Sequence, residues 1–122
     1  MAKSVQLLTA RCGKIRPDSV ADYLANGGFS ALKKAMNMSP MEIINEVIDA
    51  KLLGRGGASY PAGKKWKQLY EIEGEPKYIV CNADEGEPGT FKDKVLLEKD
   101  PLSIIEGMAI AGSVSYTHLR AH

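Results

Sequence analysis

Apolar positions in the first half of the chain recur at spacings of three and four, the mark of short helices that bury one face. Residues 19–24, just after Pro17, predict a first helix, stopped by the breaker Asn26-Gly27-Gly28. Phe29, Leu32 and Met36 mark a second. Ser39-Pro40-Met41-Glu42 opens a third. Ser39 can cap the amide of Glu42, Glu42 can reach back to the amide of Ser39, and Pro40 takes the first helical position. Ile43, Ile44, Val47 and Ile48 then form one apolar face, for which core packing is a sufficient explanation.

The pattern changes at residue 54. Gly54, Gly56, Gly57 and Gly63 place four of the twelve glycines in ten positions, with Pro61 among them. A connector helix is predicted near residues 66–70. The run Lys77-Tyr78-Ile79-Val80-Cys81 reads as a buried strand. An acidic loop, Asn82-Ala83-Asp84-Glu85-Gly86-Glu87-Pro88-Gly89, follows it. Val95, Leu96 and Leu97 predict a short helix. Asp100-Pro101 opens a last one, with Leu102, Ile105 and Met108 on one side and Asp100 as its N-cap. The ten residues from Ser113 do not continue that helix. They resemble a translated sequencing-adapter tail and are set aside. Both histidines lie there, and His118 and His122, four apart, could hold a metal only if the tail were helical.

Composition narrows the classes. A length of 122 residues fits one domain or a piece of one, and 44% apolar residues is a globular proportion. Sixteen Lys and Arg against fifteen Asp and Glu leave a net charge of +1, so no uniform basic field invites nucleic acid. Apolar runs reach only four residues, as at 108–111, too short to span a bilayer. The N-terminus has one early lysine and no long apolar stretch, which argues against a signal peptide. Cys12 and Cys81 stand 69 positions apart and form no C-x-x-C pair. Neither a four-cysteine zinc site nor an iron–sulfur cluster can be built from them. Redox chemistry therefore needs a bound organic cofactor or another polypeptide.

Two phosphate motifs can be tested against the glycine-rich segment. A Walker A loop fails: Ala58 stands at its first glycine, and Lys65 stands where the magnesium-binding hydroxyl belongs. A dinucleotide fingerprint fails too, because Gly54-Arg55-Gly56-Gly57-Ala58-Ser59 ends in serine and follows a helix. What remains is a loop whose backbone can approach a ligand closely. Arg55, Lys64 and Lys65 can pair with phosphate, and Tyr60 and Trp66 offer faces for stacking. On composition alone such a loop reads equally well as a plain turn. In the acidic loop, Asp84, Glu85 and Glu87 can accept hydrogen bonds from ribose hydroxyls, a carboxamide or a ring N–H, and Asn82 can both donate and accept. Spacing alone favours a solvated turn, but a place at the carboxyl end of a strand in an open α/β sheet favours a ligand site.

The residues that decide between these readings form two blocks. Residues 54–66, Gly-Arg-Gly-Gly-Ala-Ser-Tyr-Pro-Ala-Gly-Lys-Lys-Trp, and residues 80–93, Val-Cys-Asn-Ala-Asp-Glu-Gly-Glu-Pro-Gly-Thr-Phe-Lys-Asp, closely resemble the flavin-bearing F (51-kDa) subunit of complex I-type NADH dehydrogenases. Related NAD-linked hydrogenases and formate dehydrogenases share this subunit. The resemblance runs from about Leu7 to Gly112. It implies an α/β fold: helices over 1–53, the first part of an FMN- and NADH-binding domain over 54–112, and a foreign tail over 113–122.

The resemblance also implies roles. Gly54, Arg55, Gly56, Gly57 and Ala58 match the loop that holds the FMN phosphate and admits NADH. Lys65 belongs to the same flavin site, and Tyr60 stacks on the NADH adenine. Asn82, Asp84 and Glu85 match flavin-contacting positions, and Glu87 matches the catalytic carboxylate that faces the nicotinamide and its ribose. In such subunits FMN takes hydride from NADH and passes electrons to iron–sulfur clusters. A [4Fe–4S] cluster sits in a C-terminal part that this chain lacks, and a 24-kDa-type iron–sulfur subunit is a partner. The implied setting is cytoplasmic, without membrane insertion. This sequence departs from the pattern at Leu53, Ser59, Tyr60 and Ala62, where arginine, glycine, phenylalanine and threonine are usual. Ser59 matters most if its backbone needs positive φ. The expectation is an N-terminal fragment, itself inactive. A non-catalytic nucleotide-binding or assembly fragment is the alternative, and an NTPase comes third.

Overall fold

The computed structural model describes residues 4–115. Six helices follow in order: α1 Val20–Ala25, α2 Ser30–Met36, α3 Pro40–Asp49, α4 Ala62–Glu71, α5 Lys92–Lys99 and α6 Pro101–Ser115. Their starts follow local chemistry. Ser19 caps α1 by accepting from the Asp22 amide at 3.1 Å. Ser39 and Glu42 complete the predicted reciprocal cap on α3, at 3.2 and 3.0 Å. α3 ends because Lys51 turns into the left-handed region, at φ 53°. The amides of Lys51 and Leu52 then bond back to the carbonyls of Ile48 and Val47.

The core lies where α2, α3, α4 and α6 meet, built on Ala35, Ile43, Ile44 and Val114 with Trp66, Tyr70 and Ile110 against them. Fully burying Ile44 or Val114 contributes about 1.5–3 kcal/mol each. Gly63 sets how closely α4 approaches α3. A Cβ there would sit 2.6 Å from Ile48 Cγ1 and 2.8 Å from the Ile48 amide nitrogen.

A second centre is polar. The Arg11 guanidinium lies 4.7 Å from the centre of the Tyr23 ring and pairs with Asp100 at 3.0 Å. Tyr23 meets Phe29 edge-on and donates its hydroxyl proton to Glu106. Glu106 also accepts from the amides of Phe29 and Leu32, at 3.0 and 3.1 Å. One carboxylate of α6 thus satisfies the start of α2.

The expected α/β class is not what forms: among the described residues the regular elements are all helices, joined by long irregular segments, and no sheet is present. The predicted strand at 77–81 runs without a ladder partner, with Tyr78 75% and Val80 82% exposed. A strand is stabilised by pairing its backbone across a ladder, and these residues have no such neighbour. Instead the Lys77 ammonium turns back onto the Leu69 and Tyr70 carbonyls at the end of α4. The β pairing present is an isolated antiparallel bridge between Leu53 and Pro61.

Three further expectations are revised. Asp100 directs one carboxylate oxygen to Arg11 rather than capping α6, and its other oxygen has no partner. On α6, Ile105 is exposed while Glu106 is buried. The helix also continues through Ser115, with Val114 in the core, so the break expected at Ser113 does not occur. His118 and His122 lie outside the described residues.

Candidate functional site

The glycine-rich segment is a closed loop. The Leu53–Pro61 bridge clamps its ends, with Gly54 N donating to Tyr60 O at 2.8 Å and Ala62 N to Leu52 O at 2.9 Å. Gly57 takes φ 98°, which glycine adopts freely, and Ser59 takes φ 51°. Ser59, the position at which the resemblance leads one to expect glycine, is therefore left-handed, at a cost of roughly 1–2 kcal/mol for an L-residue.

The acidic loop is shaped by its own side chains. The Asp84 amide donates to Asn82 Oδ1 at 3.0 Å, and the Thr90 amide closes a turn on the Glu87 carbonyl at 3.2 Å. Glu85 spans to α5 and accepts from the amides of Asp93 and Lys94, at 3.1 and 2.8 Å.

These two loops, far apart in sequence, face one another across an open cleft of about 570 Å³. Arg55, Gly56 and Gly57 form one wall; Asn82, Asp84 and Glu87 form the other, with Thr90 just ahead of α5 and Lys92 and Asp93 from its first turn. The cleft carries two cations, Arg55 and Lys92, and three carboxylates, Asp84, Glu87 and Asp93. Lys92 Nζ lies 2.9 Å from Asp93 Oδ1, leaving Arg55 as the cation on the glycine-loop wall. The volume falls in the range of about 300–1,000 Å³ found for cofactor sites. A Cβ at Gly56 would meet nothing within 4 Å, so the loop backbone is open to an approaching ligand. One cationic wall and one wall rich in acceptors suit a molecule with a phosphate at one end and hydroxyl or N–H donors at the other. A phosphorylated flavin or a nucleotide has that chemistry. Among the described residues, no group of three His, Cys, Asp or Glu could hold a metal ion.

Not every residue singled out from the sequence reaches this cleft. Gly54 and Ala58 belong to the loop but do not line it. Lys65 lines a separate groove with Trp66, Tyr78 and Met108. Tyr60 is exposed; its hydroxyl donates to Gln68 Oε1 at 3.1 Å, and the Lys64 ammonium lies 5.8 Å from the ring centre. Glu85 is turned to α5. The strand-end argument for the acidic loop also lapses, because no sheet forms among the described residues. Thr90, Lys92 and Asp93 were missed as site residues. Their signal was position, since they end the same sequence block and begin the helix that follows it.

Comparison with known proteins bears on what the cleft is for. The sequence matches the family model of the Nuo51 FMN-binding domain over residues 47–119. It is 48% identical to the F subunit of the NADH-quinone oxidoreductase of Aquifex aeolicus, over 96% of this chain and 28% of that protein. It is 44% identical to the HndC subunit of the NADP-reducing hydrogenase of Solidesulfovibrio fructosivorans, over 90% of this chain and 22% of that one. A third relative is the alpha subunit of the NAD-reducing hydrogenase HoxS of Cupriavidus necator, 48% identical over 67% of this chain and 14% of that protein. The chain spans about a quarter or less of the length of these curated relatives. Among the described residues, no helix is long and apolar enough to cross a membrane. With both loops that form the cleft inside the matched residues, the chain belongs to the Nuo51 FMN-binding domain family.

Proposed function

We propose that this chain supplies the first part of an FMN and NAD(H) site in an NADH-oxidising subunit of a multisubunit redox complex. The observation that carries this reading is the convergence of the two sequence blocks, through residues 55–57 of one and residues from 82–93 of the other, on one cleft with a cation on one wall and acceptors on the other. Membership of an oxidoreductase family makes FMN the first ligand to test there.

FMN, when bound, supplies hydride acceptance from NADH and one-electron release to iron–sulfur partners. The chain's own residues bind and orient. Arg55 pairs with a phosphate, and the Gly56-Gly57 backbone lets that group come close. Asp84 accepts from a ribityl hydroxyl or a ring N–H, and Asn82 lines the same wall beside it. Glu87 accepts from the nicotinamide ribose or carboxamide of NADH and fixes its approach. The Tyr60 ring, exposed beyond the cleft, is a platform for the adenine; Lys65, carried by α4 into a separate groove, adds only long-range positive charge. Residues 1–53 serve as a helical lead-in, and 54–112 carry the ligand-binding part. An iron–sulfur protein as electron acceptor belongs to the same reading.

The test is Arg55→Ala in the full-length protein that carries this sequence. Losing a charged hydrogen bond costs about 1.5–3 kcal/mol, which weakens FMN roughly tenfold to a hundredfold. Flavin content unchanged on purification, with an unchanged dissociation constant, would refute the assignment.

A further inference from the structure

The acidic loop and α5 are tied together by one side chain, and it is not one that faces the cleft. α5 begins at Lys92, and Phe91 before it offers no side-chain cap. The amides of the second and third helical residues, Asp93 and Lys94, therefore need an acceptor from elsewhere. Glu85 provides it with both oxygens: Oε2 lies 3.1 Å from Asp93 N, and Oε1 lies 2.8 Å from Lys94 N. A carboxylate at a helix start is favoured twice, by these hydrogen bonds and by the helix dipole. Its neighbours Asp84 and Glu87 line the cleft, whereas Glu85 does not.

We infer that Glu85 is a positioning residue: it fastens the first turn of α5 to the acidic loop, so that Thr90, Lys92 and Asp93 share a cleft with Asp84, Glu87 and Arg55. The inference rests on the reading of that cleft as the flavin and nucleotide site. Geometry separates it from a direct ligand contact. A ligand that took a hydrogen bond from Glu85 would have to compete with two helix amides already held by it. Between Asn82 and Glu87, the carboxylates then do different work. Asp84 and Glu87 present acceptors to the cleft, and Glu85 holds the wall that Lys92 and Asp93 stand on.

The experiment uses the full-length protein with Glu85→Ala, Glu85→Gln and, as the reference for the ligand site itself, Arg55→Ala. Two quantities are read: amide hydrogen exchange at Asp93 and Lys94 in the flavin-free protein, and the dissociation constant for FMN. Glu85→Ala should speed exchange at both amides by roughly tenfold, the usual size of a lost helix cap, and weaken FMN by a similar factor. Glu85→Gln still offers one oxygen to an amide and should recover much of both losses together. Unchanged exchange in Glu85→Ala would overturn the cap. Faster exchange with unchanged FMN affinity would overturn the link between cap and cleft. Equal loss of FMN in the Ala and Gln variants, with exchange in the Gln variant at its wild-type rate, would mean that Glu85 touches the ligand directly. Should Arg55→Ala leave FMN affinity unchanged, the flavin reading fails, while the exchange data still decide whether Glu85 caps α5.

Discussion

Glu106→Ala is expected to remove a large share of the stability of this fold, and the size of the loss can be worked from its partners. The Glu106 side chain is 7% exposed and accepts from the Tyr23 hydroxyl and from the amides of Phe29 and Leu32. Truncation strands all three donors at once. A buried donor left unsatisfied costs about 1–3 kcal/mol, and water entering the vacated space offsets part of that at the two half-buried amides. The expected loss is about 3–5 kcal/mol, against a total of about 5–15 kcal/mol for a typical domain. A melting temperature lowered by roughly 10–20 °C would follow. Tyr23→Phe removes one hydrogen bond to a charged group and should cost less, about 1.5–3 kcal/mol. The double variant should then lose less than the sum of the two, because both singles break the same bond.

The same carboxylate predicts a pH dependence. Burial pushes the Glu106 carboxyl up, but the Tyr23 hydroxyl and the amides of Leu32 and Phe29 outweigh it and hold it below its ordinary value. A lowered folded value means that the unfolded chain takes up the proton first as pH falls. The stabilisation is therefore complete above the ordinary carboxylate value and is lost as pH drops through the folded one. Thermal melts followed by circular dichroism between pH 7 and pH 3 should show this loss in the wild type and a flatter profile in Glu106→Ala. A variant melting within about 2 °C of wild type at pH 7 would refute the reasoning, since the calculated loss spans several times that.

Gly63→Ala gains roughly 1 kcal/mol of helix propensity, yet its Cβ would press on the Ile48 backbone, so a net loss of about 1–3 kcal/mol by urea titration is expected. Arg11→Ala leaves the Asp100 carboxylate, 1% exposed, without its charged partner. Because Arg11 itself reaches water, the cost should fall near the lower end of the roughly 3–5 kcal/mol of a broken buried pair, and a melt checks it. Glu87→Gln in the full-length protein should raise the KM for NADH severalfold while flavin stays bound. Steady-state kinetics with an artificial acceptor would show wild-type constants if Glu87 were only a solvated charge.

Much of the helical framework was legible because its signals are local. Ser39 and Glu42 satisfy each other within one turn, and Asn26-Gly27-Gly28 halts α1, whatever the rest of the chain does; Ser19, read as the first helical residue, is instead the cap before it. The two loops that form the cleft were legible for a similar reason: glycine density and carboxylate spacing are properties of a few consecutive residues. The doubt over Ser59 came from backbone sterics alone, and its φ of 51° is the conformation in question.

Tertiary structure decided what depends on distant partners. A run such as Tyr78-Ile79-Val80 has strand propensity, but a strand exists only with a ladder beside it, and pairing is not written in the run itself. In sequence Glu106 is a single carboxylate on a largely apolar helix. Only the arrival of Tyr23 and the start of α2, more than 70 positions earlier, makes its burial favourable. Lys65 and Arg55 belong to one sequence block, yet the turn of α4 after Pro61 carries Lys65 to a different groove. Glu85, Asp84 and Glu87 are alike in sequence. The amides of α5 take the first, and the cleft receives the other two. A carboxylate announces its charge in the sequence, and the fold supplies the donor that gives it a role.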